Sequence, residues 1–344
     1  MYLDYNLYIG LKKIHREWKQ LDKEQDILNL KLNELEVYLN RYYIGGLIEC
    51  GFLKKGLNYS YLVTTTTGKY IFRIYRNNWR RLEDILYEVQ ALTHIYKNFE
   101  NISVPIASQN NEYFHEIYCC DESYYGVLFT YAKGEIPHIN EKSSYKLGEM
   151  LAKIHIYTDE FKSKYKRSYD IDLYHLLDEP MKFLSLEIER YLSKESCEFV
   201  YSLKNHIKHT LSNLELEIGF CHGDLHDWNV HCYDNSYTIF DFDCCGIGFR
   251  AYDLAVFWWN LKVNYPEKEE ICWKAFKRGY LNTRKLGEVD MNAIPLFVVA
   301  RKYWLAGILL KNKDVFGTEW INEAGLNNFL THIKSDVKDF NITM

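Results

Sequence analysis

Residues 222–229 read His-Gly-Asp-Leu-His-Asp-Trp-Asn, and residues 239–243 read Ile-Phe-Asp-Phe-Asp. This places a carboxylate (Asp224), an amide five positions on (Asn229) and one or two further carboxylates (Asp241, Asp243) in one short stretch. Phosphoryl transfer needs such a set. One Asp receives or orients the attacking hydroxyl, while an Asn and a second Asp hold the divalent metal that bridges the nucleotide phosphates. His-x-Asp alone is common. The full string His222-Gly223-Asp224-x4-Asn229, then a β-rich run from Tyr237 to Phe240 ending in Asp241, is far more specific than a polar loop followed by a capped strand.

The string continues into Gly246-x-Gly248 and Tyr252-Asp253-Leu254-Ala255. As a whole it resembles the aminoglycoside phosphotransferase-like family, similar in fold to protein kinases, which includes antibiotic kinases, choline kinases and one type of homoserine kinase. A protein kinase more often carries Arg between the His and Asp and Asp-Phe-Gly at the metal strand. Gly223 and Asp241-Phe242-Asp243 stand there instead, favouring a small-molecule kinase. The resemblance spans about residues 45–320 and is most specific over 221–255. It implies an α+β, bilobal protein-kinase-like fold with a small β-rich N-lobe and a larger, mostly helical C-lobe. Residues 1–131 would hold N-terminal extension helices and the nucleotide-binding N-lobe. Residues 132–344 would hold the catalytic loop and the acceptor site.

The elements that must position these residues are partly readable. Ile14, Trp18, Leu21, Ile27, Leu28, Leu32 and Leu35 recur among charges over 12–40, which predicts one or two amphipathic helices. From Gly45 to Arg76 the texture turns to strand: Gly56 opens a turn into Asn58–Val63, Thr67-Gly68 makes the next turn, and Lys69–Arg76 alternates, with Lys69 toward solvent. In the lobe that the resemblance implies, the first hairpin covers the nucleotide phosphates, within reach of backbone N–H groups at Asn58, Tyr59 and Ser60. A plain hairpin would read the same. Arg73 stands where such a lobe carries its phosphate-binding Lys, and it keeps the charge. Glu88, in a helical run from Leu82 to Tyr96, stands where the partner of that cation belongs; a surface Glu is the alternative.

Val104–Ile106 and Tyr113–Tyr118 read as strands, and Gly126–Ala132 as an apolar strand entering Lys133-Gly134-Glu135. The last resembles the family's hinge, with adenine on the backbone around Thr130 and Ala132 and Phe129 behind it. From Ser143 the chain reads as helical, and Leu147-Gly148-x-x-Leu151-Ala152-x-x-His155 resembles the first C-lobe helix, with His155 a packing or loop-bracing residue. The resemblance further implies catalytic Asp224 and metal ligands Asn229 and Asp241, with Asp241 preferred to Asp243. His222 and Asp253 would brace the loop. His226, Asp227, Asp243, Trp258, Trp259, Arg301, Tyr303 and Trp304 are places where an acceptor could be met, although each of the last five, taken singly, reads more readily as core than as contact.

The composition sets bounds. Of the 344 residues, 47% are hydrophobic, enough for a sizeable core, and the formal charge of −5 gives no basic field for nucleic acid. Nine cysteines, an odd number without C-x-x-C spacing, read as reduced thiols. No signal peptide is visible, and the longest apolar run, Ala293–Ala300, is too short to span a membrane. A cytoplasmic enzyme is expected, without membrane or nucleic-acid partners, as a monomer or homodimer. It would use Mg²⁺ with ATP or GTP to phosphorylate a hydroxyl on a small, amine-bearing molecule. The leading expectation is an antibiotic, an aminoglycoside or an amicoumacin-like compound. A metabolic kinase resembling homoserine or choline kinase, and a non-catalytic kinase-like scaffold, are the alternatives.

Overall fold

The computed structural model describes residues 32–119 and 122–344. Most of the expected N-terminal helical region lies outside the described residues. Its end, α1 (Leu32–Leu39), is helical and buries Leu35 and Leu39. The N-lobe is a five-stranded antiparallel sheet of β1 (Leu47–Lys55), β2 (Asn58–Thr65), β3 (Lys69–Tyr75), β4 (His115–Cys119) and β5 (Glu122–Thr130), in the order β1-β2-β3-β5-β4. One helix, α2 (Leu82–Tyr96), follows β3.

Strand alternation divides the sheet into two faces. Tyr59, Tyr61, Val63, Phe72 and Ile74 turn to one side and form a small core with α1. Asn58, Ser60, Leu62, Ile71 and Arg73 alternate with them and line the opposite, cleft-facing side. The Val104–Ile106 segment is extended but is not a regular strand. Thr130 donates to Val104 O (2.9 Å), Ile106 donates to Leu128 O (2.8 Å), and Pro105 between them has no N–H to extend the ladder.

The C-lobe begins with α3 (Glu141–Tyr157), followed by α4 (Glu179–Tyr191) and α5 (Lys194–Ser212). Two small antiparallel pairs then carry the functional loops: β6 (Ile218–Cys221) with β9 (Gly246–Phe249), and β7 (Val230–Tyr233) with β8 (Ser236–Ile239). The remaining helices are α6 (Arg250–Asn264), α7 (Glu269–Thr283), α8 (Glu288–Lys311), the short α9 (Lys313–Phe316) and α10 (Glu323–Asp339). By length and composition α8 could cross a membrane, contrary to the reading of a longest apolar run confined to Ala293–Ala300, but 83% of its apolar stretch is buried inside the protein. It is the central helix of a large core that also takes in α2 and one face of β5.

Glycines allow α3 and α7 to cross with their backbones in contact. A Cβ on Gly148 would lie 2.0 Å from Phe276 O, and one on Gly279 would lie 2.0 Å from Tyr145 O. Because backbone cannot yield as a side chain can, Gly148→Ala is expected to destabilise the protein by about 1–3 kcal/mol. Urea unfolding measures this, and an unchanged midpoint would mean that the helices separate freely.

Candidate active site

The loop that follows β6 is held by one buried carboxylate. Asp253, in the first turn of α6, accepts hydrogen bonds from the backbone N–H groups of His222 and Gly223, both at 2.7 Å. His155 Nε2 lies 3.0 Å from the same carboxylate, and its Nδ1 lies 2.7 Å from Tyr280 OH. Burial, reinforced by Arg250 and Arg284, holds the His155 pKa well below its usual value, so this ring is a neutral brace. Gly223 adopts φ +80°, and a Cβ there would lie 2.3 Å from Cys244 O. The His222 ring packs on Phe242 (4.3 Å between centroids), with Nε2 3.3 Å from Phe240 O and Nδ1 accepting from Asp224 N at 3.2 Å.

Asp224 emerges from this braced turn. Its carboxylate pairs with Arg301 of α8, which also donates to Gly223 O (3.3 Å) and Tyr252 OH (3.1 Å). Burial pushes the Asp224 pKa up, but the Arg301 guanidinium and His226 outweigh it and hold the carboxyl well below the ordinary range. Asn229 closes a 3₁₀ turn and donates from Nδ2 to Asp224 O (2.8 Å) and, at 3.3 Å, to its carboxylate. Asp241 follows β8 in the left-handed region (φ 65°, ψ 58°) and pairs with Arg73 at 3.2 Å. Arg73 in turn bonds Glu88 at 3.0 Å, and Tyr75 OH holds the other Glu88 oxygen at 2.9 Å.

Two cavities meet here. One, of about 330 Å³, runs along β2, β3 and β5 and is lined by Leu62, Ile71, Phe129, Thr130 and Ala132. The other, of about 250 Å³, is lined by Asp224, Asn229, Trp259, Arg301, Trp304 and Phe316. Lys54, Ser60, Arg73, Trp228 and Asp241 line both and mark the junction. The structure therefore brings together Asn58, Ser60, Arg73, Glu88, Phe129, Thr130, Ala132, Asp224, His226, Asn229, Asp241, Arg301 and Trp304. The carboxylates of Asp224 and Asp241 and the amide oxygen of Asn229 suit a hard divalent cation.

Several expected contact residues lie outside the cavities or are already engaged by neighbours. Tyr59 turns its side chain into the core on the far face of the sheet, because strand alternation puts it opposite Asn58 and Ser60, so the contact expected of it is one of its backbone N–H alone. Asp227 is fully buried beneath the loop, bonded to Asn260 Nδ2 (2.8 Å) and Tyr265 OH (2.6 Å). Trp258 stacks on Trp273 (4.5 Å) and donates to Glu269, outside both cavities. Asp243 lines the acceptor-side cavity, but its carboxylate is engaged by Arg80 (2.9 Å) and Trp79 Nε1 (2.5 Å), and its backbone oxygen takes bonds from Arg80 and Arg167. Arg301 faces Asp224, and Thr130 already uses its N–H on Val104 and its C=O on Ser103 Oγ. Lys54 and Trp228 went unnoticed in the sequence, where a strand lysine and a single tryptophan have no distinguishing pattern; Trp259, one of the helix residues singled out there, does line the acceptor side.

The Phosphotransferase enzyme family matches residues 51–287, and the chain belongs to that family. It is therefore a phosphotransferase. An uncharacterised protein of Deinococcus radiodurans is 32% identical over 81% of this chain and 83% of its own length. A homoserine kinase of Agrobacterium fabrum is 24% identical over 82% and 89%. Among solved structures, amicoumacin kinase hAmiN in complex with AMP-PNP, Ca²⁺ and Ami superposes with a TM-score of 0.73 at 22% identity, covering 89% of this chain and 94% of that one. A microcompartment-associated aminopropanol kinase gives 0.74 at 17% identity, covering 91% and 99%.

Removing the Asp253 carboxylate orphans two buried N–H groups, each costing about 1–3 kcal/mol. Asp253→Ala should therefore lower stability by at least that much and depress kcat more than nucleotide affinity, because the loop it anchors carries Asp224. Urea unfolding and steady-state kinetics test both, and a variant as stable and active as wild type would contradict the bracing role.

Proposed function

We propose that the chain transfers the γ-phosphoryl group of ATP to a hydroxyl of a compact, amine-bearing acceptor. The observation that carries this reading is the order of groups along the two joined cavities. Backbone and apolar side chains suited to a base lie at one end, Arg73 and Asp241 at the junction, and Asp224 on the far side. Adenine would lie against Phe129 and Ile71, with the Ala132 N–H offering a backbone contact, since its C=O is engaged by His231 Nδ1 (2.8 Å). Arg73, steadied by Glu88, would neutralise the phosphates.

Asn229 and Asp241 would hold Mg²⁺, which when bound offsets phosphate charge. Asp224 would accept the hydrogen bond of the acceptor hydroxyl and aim its oxygen at the phosphorus. With its pKa held low by Arg301, it is a weak base in the ground state, so its contribution lies chiefly in orientation and in receiving the proton late.

Acceptor size follows from the acceptor-side cavity. Its 250 Å³ lie below the range usual for drug-sized ligands, which favours a compact molecule. Homoserine and aminopropanol, which name the substrates of two similar kinases, are each an alcohol bearing an amine. Antibiotic phosphorylation is the second reading, supported by the likeness in fold to amicoumacin kinase. Assaying ATP or GTP consumption against amino alcohols, choline, aminoglycosides and amicoumacin decides between them.

Asp224→Ala should lower turnover by about 10²–10⁴-fold with nucleotide binding largely intact. A folded variant with near-normal turnover would remove Asp224 from this role.

Asp241→Asn should raise the Mg²⁺ concentration needed for nucleotide binding. Asp243→Ala should instead cost about 3–5 kcal/mol of stability by orphaning Arg80, with little change in Mg²⁺ dependence. Titration calorimetry and urea unfolding separate the two, and the reverse pattern would exchange the roles of these carboxylates.

A further inference from the structure

A break in strand register puts an unassigned cation at the junction of the two cavities. In β1, Phe52 pairs with Tyr61 of β2, yet the next pair is Lys54 with Ser60, leaving Leu53 as an extra residue. Phe52 belongs to the core face, where its ring meets that of Tyr61 at 5.4 Å. Under uninterrupted alternation Lys54 would follow Phe52 onto that apolar face. The bulge reverses the phase, so Lys54 joins Ser60 on the cleft side, and both Leu53 and Lys54 line the nucleotide-side cavity. Lys54 also lines the acceptor-side cavity, while the adjacent Lys55 lines neither. The groups around its ammonium are those of the reacting centre: Asp241, Arg73 and Asp224.

We propose that Lys54 is a catalytic residue whose ammonium binds the γ-phosphate and stays with it through transfer. This rests on reading the cleft as a phosphoryl-transfer site. In the step, the bond from the γ-phosphorus to the β,γ-bridging oxygen breaks and its electron pair leaves with ADP. The acceptor oxygen forms the new bond to phosphorus, and the hydroxyl proton passes to Asp224. Lys54 gives and takes no proton. Its part is a compact positive charge with three donors on the equatorial oxygens, where charge accumulates in the transition state.

Arg73 is tied to Glu88 and Asp241 on the sheet floor, so a cation descending from the β1–β2 hairpin approaches the same phosphate from another strand. Lys54 keeps an exposed side; where its ammonium meets the cleft, desolvation lowers its pKa, while Asp241 and Asp224 raise it and Arg73 lowers it.

The test compares Mg²⁺-dependent affinity for AMP-PNP and ADP in wild type, Lys54→Met, Lys54→Arg and Lys55→Met, with melting curves to confirm folding. Lys54→Met should weaken AMP-PNP by about tenfold while ADP affinity stays within about twofold, since only AMP-PNP carries the third phosphate. With an acceptor, kcat should fall by about 10²-fold, Lys54→Arg should recover part of the loss, and Lys55→Met should match wild type. Equal losses for both nucleotides, no loss, or tighter binding in Lys54→Met would overturn the proposal; the last would mean that the ammonium only competes with the metal beside Asp241. Wild type that binds neither nucleotide would overturn the kinase reading as well. If the AMP-PNP loss is selective but no tested acceptor is phosphorylated, Lys54 stands and only the acceptor class falls.

Discussion

Three carboxylates reach one cleft, and each is held by an arginine from a different element. Arg301 of α8 takes Asp224, Arg73 of β3 takes Asp241, and Arg80, from the segment before α2, takes Asp243. Like charges crowded in a partly desolvated space would repel and raise one another's pKa values. The arginines offset that repulsion, holding the Asp224 and Asp243 pKa values down, and fix where each carboxylate can act. Only the pairings differ in consequence. Asp243 is sealed by Arg80, Trp79 and Arg167, whereas the Asp241 side chain is 41% exposed and Asp224 opens into the acceptor side.

These pairings also join the lobes. Arg73 and Arg80 belong to the N-lobe side of the chain, and their carboxylates sit on the loop after β8. The sheet, α2 and that loop are thereby held in one relation, and Glu88 fixes Arg73 from behind. A second brace lies beneath the catalytic loop, where Asp253 takes two backbone N–H groups and His155 beside it contacts Tyr280. Helices α3, α6 and α7 thus converge under Asp224. The close α3–α7 crossing at Gly148 and Gly279 matters to chemistry because α3 carries His155.

The chemistry-bearing string was legible because its members are close in sequence and their spacing is fixed by one loop and one hairpin. Arg73 with Glu88 was legible through strand alternation and helical periodicity. What escaped depends on contacts between distant segments. Asp243 reads like Asp241 until Arg80 is brought 163 positions back along the chain to cover it. Asp227 looks like a loop residue facing an acceptor, yet Asn260 and Tyr265 of the following helical region bury it. Lys54 escaped for a local reason: a bulge adds a residue without any compositional mark, and a lysine in a strand reads as solvent-facing. Pro105 did carry its mark, a missing N–H, and the extended segment around it is not a regular strand.

The most direct measurement is ³¹P NMR of the protein with ATP, Mg²⁺ and one candidate amino alcohol at a time. A phosphomonoester resonance growing in step with ADP is expected for at least one acceptor, with little inorganic phosphate. ATP left intact with every acceptor, or ADP matched only by inorganic phosphate, would contradict transfer to an alcohol.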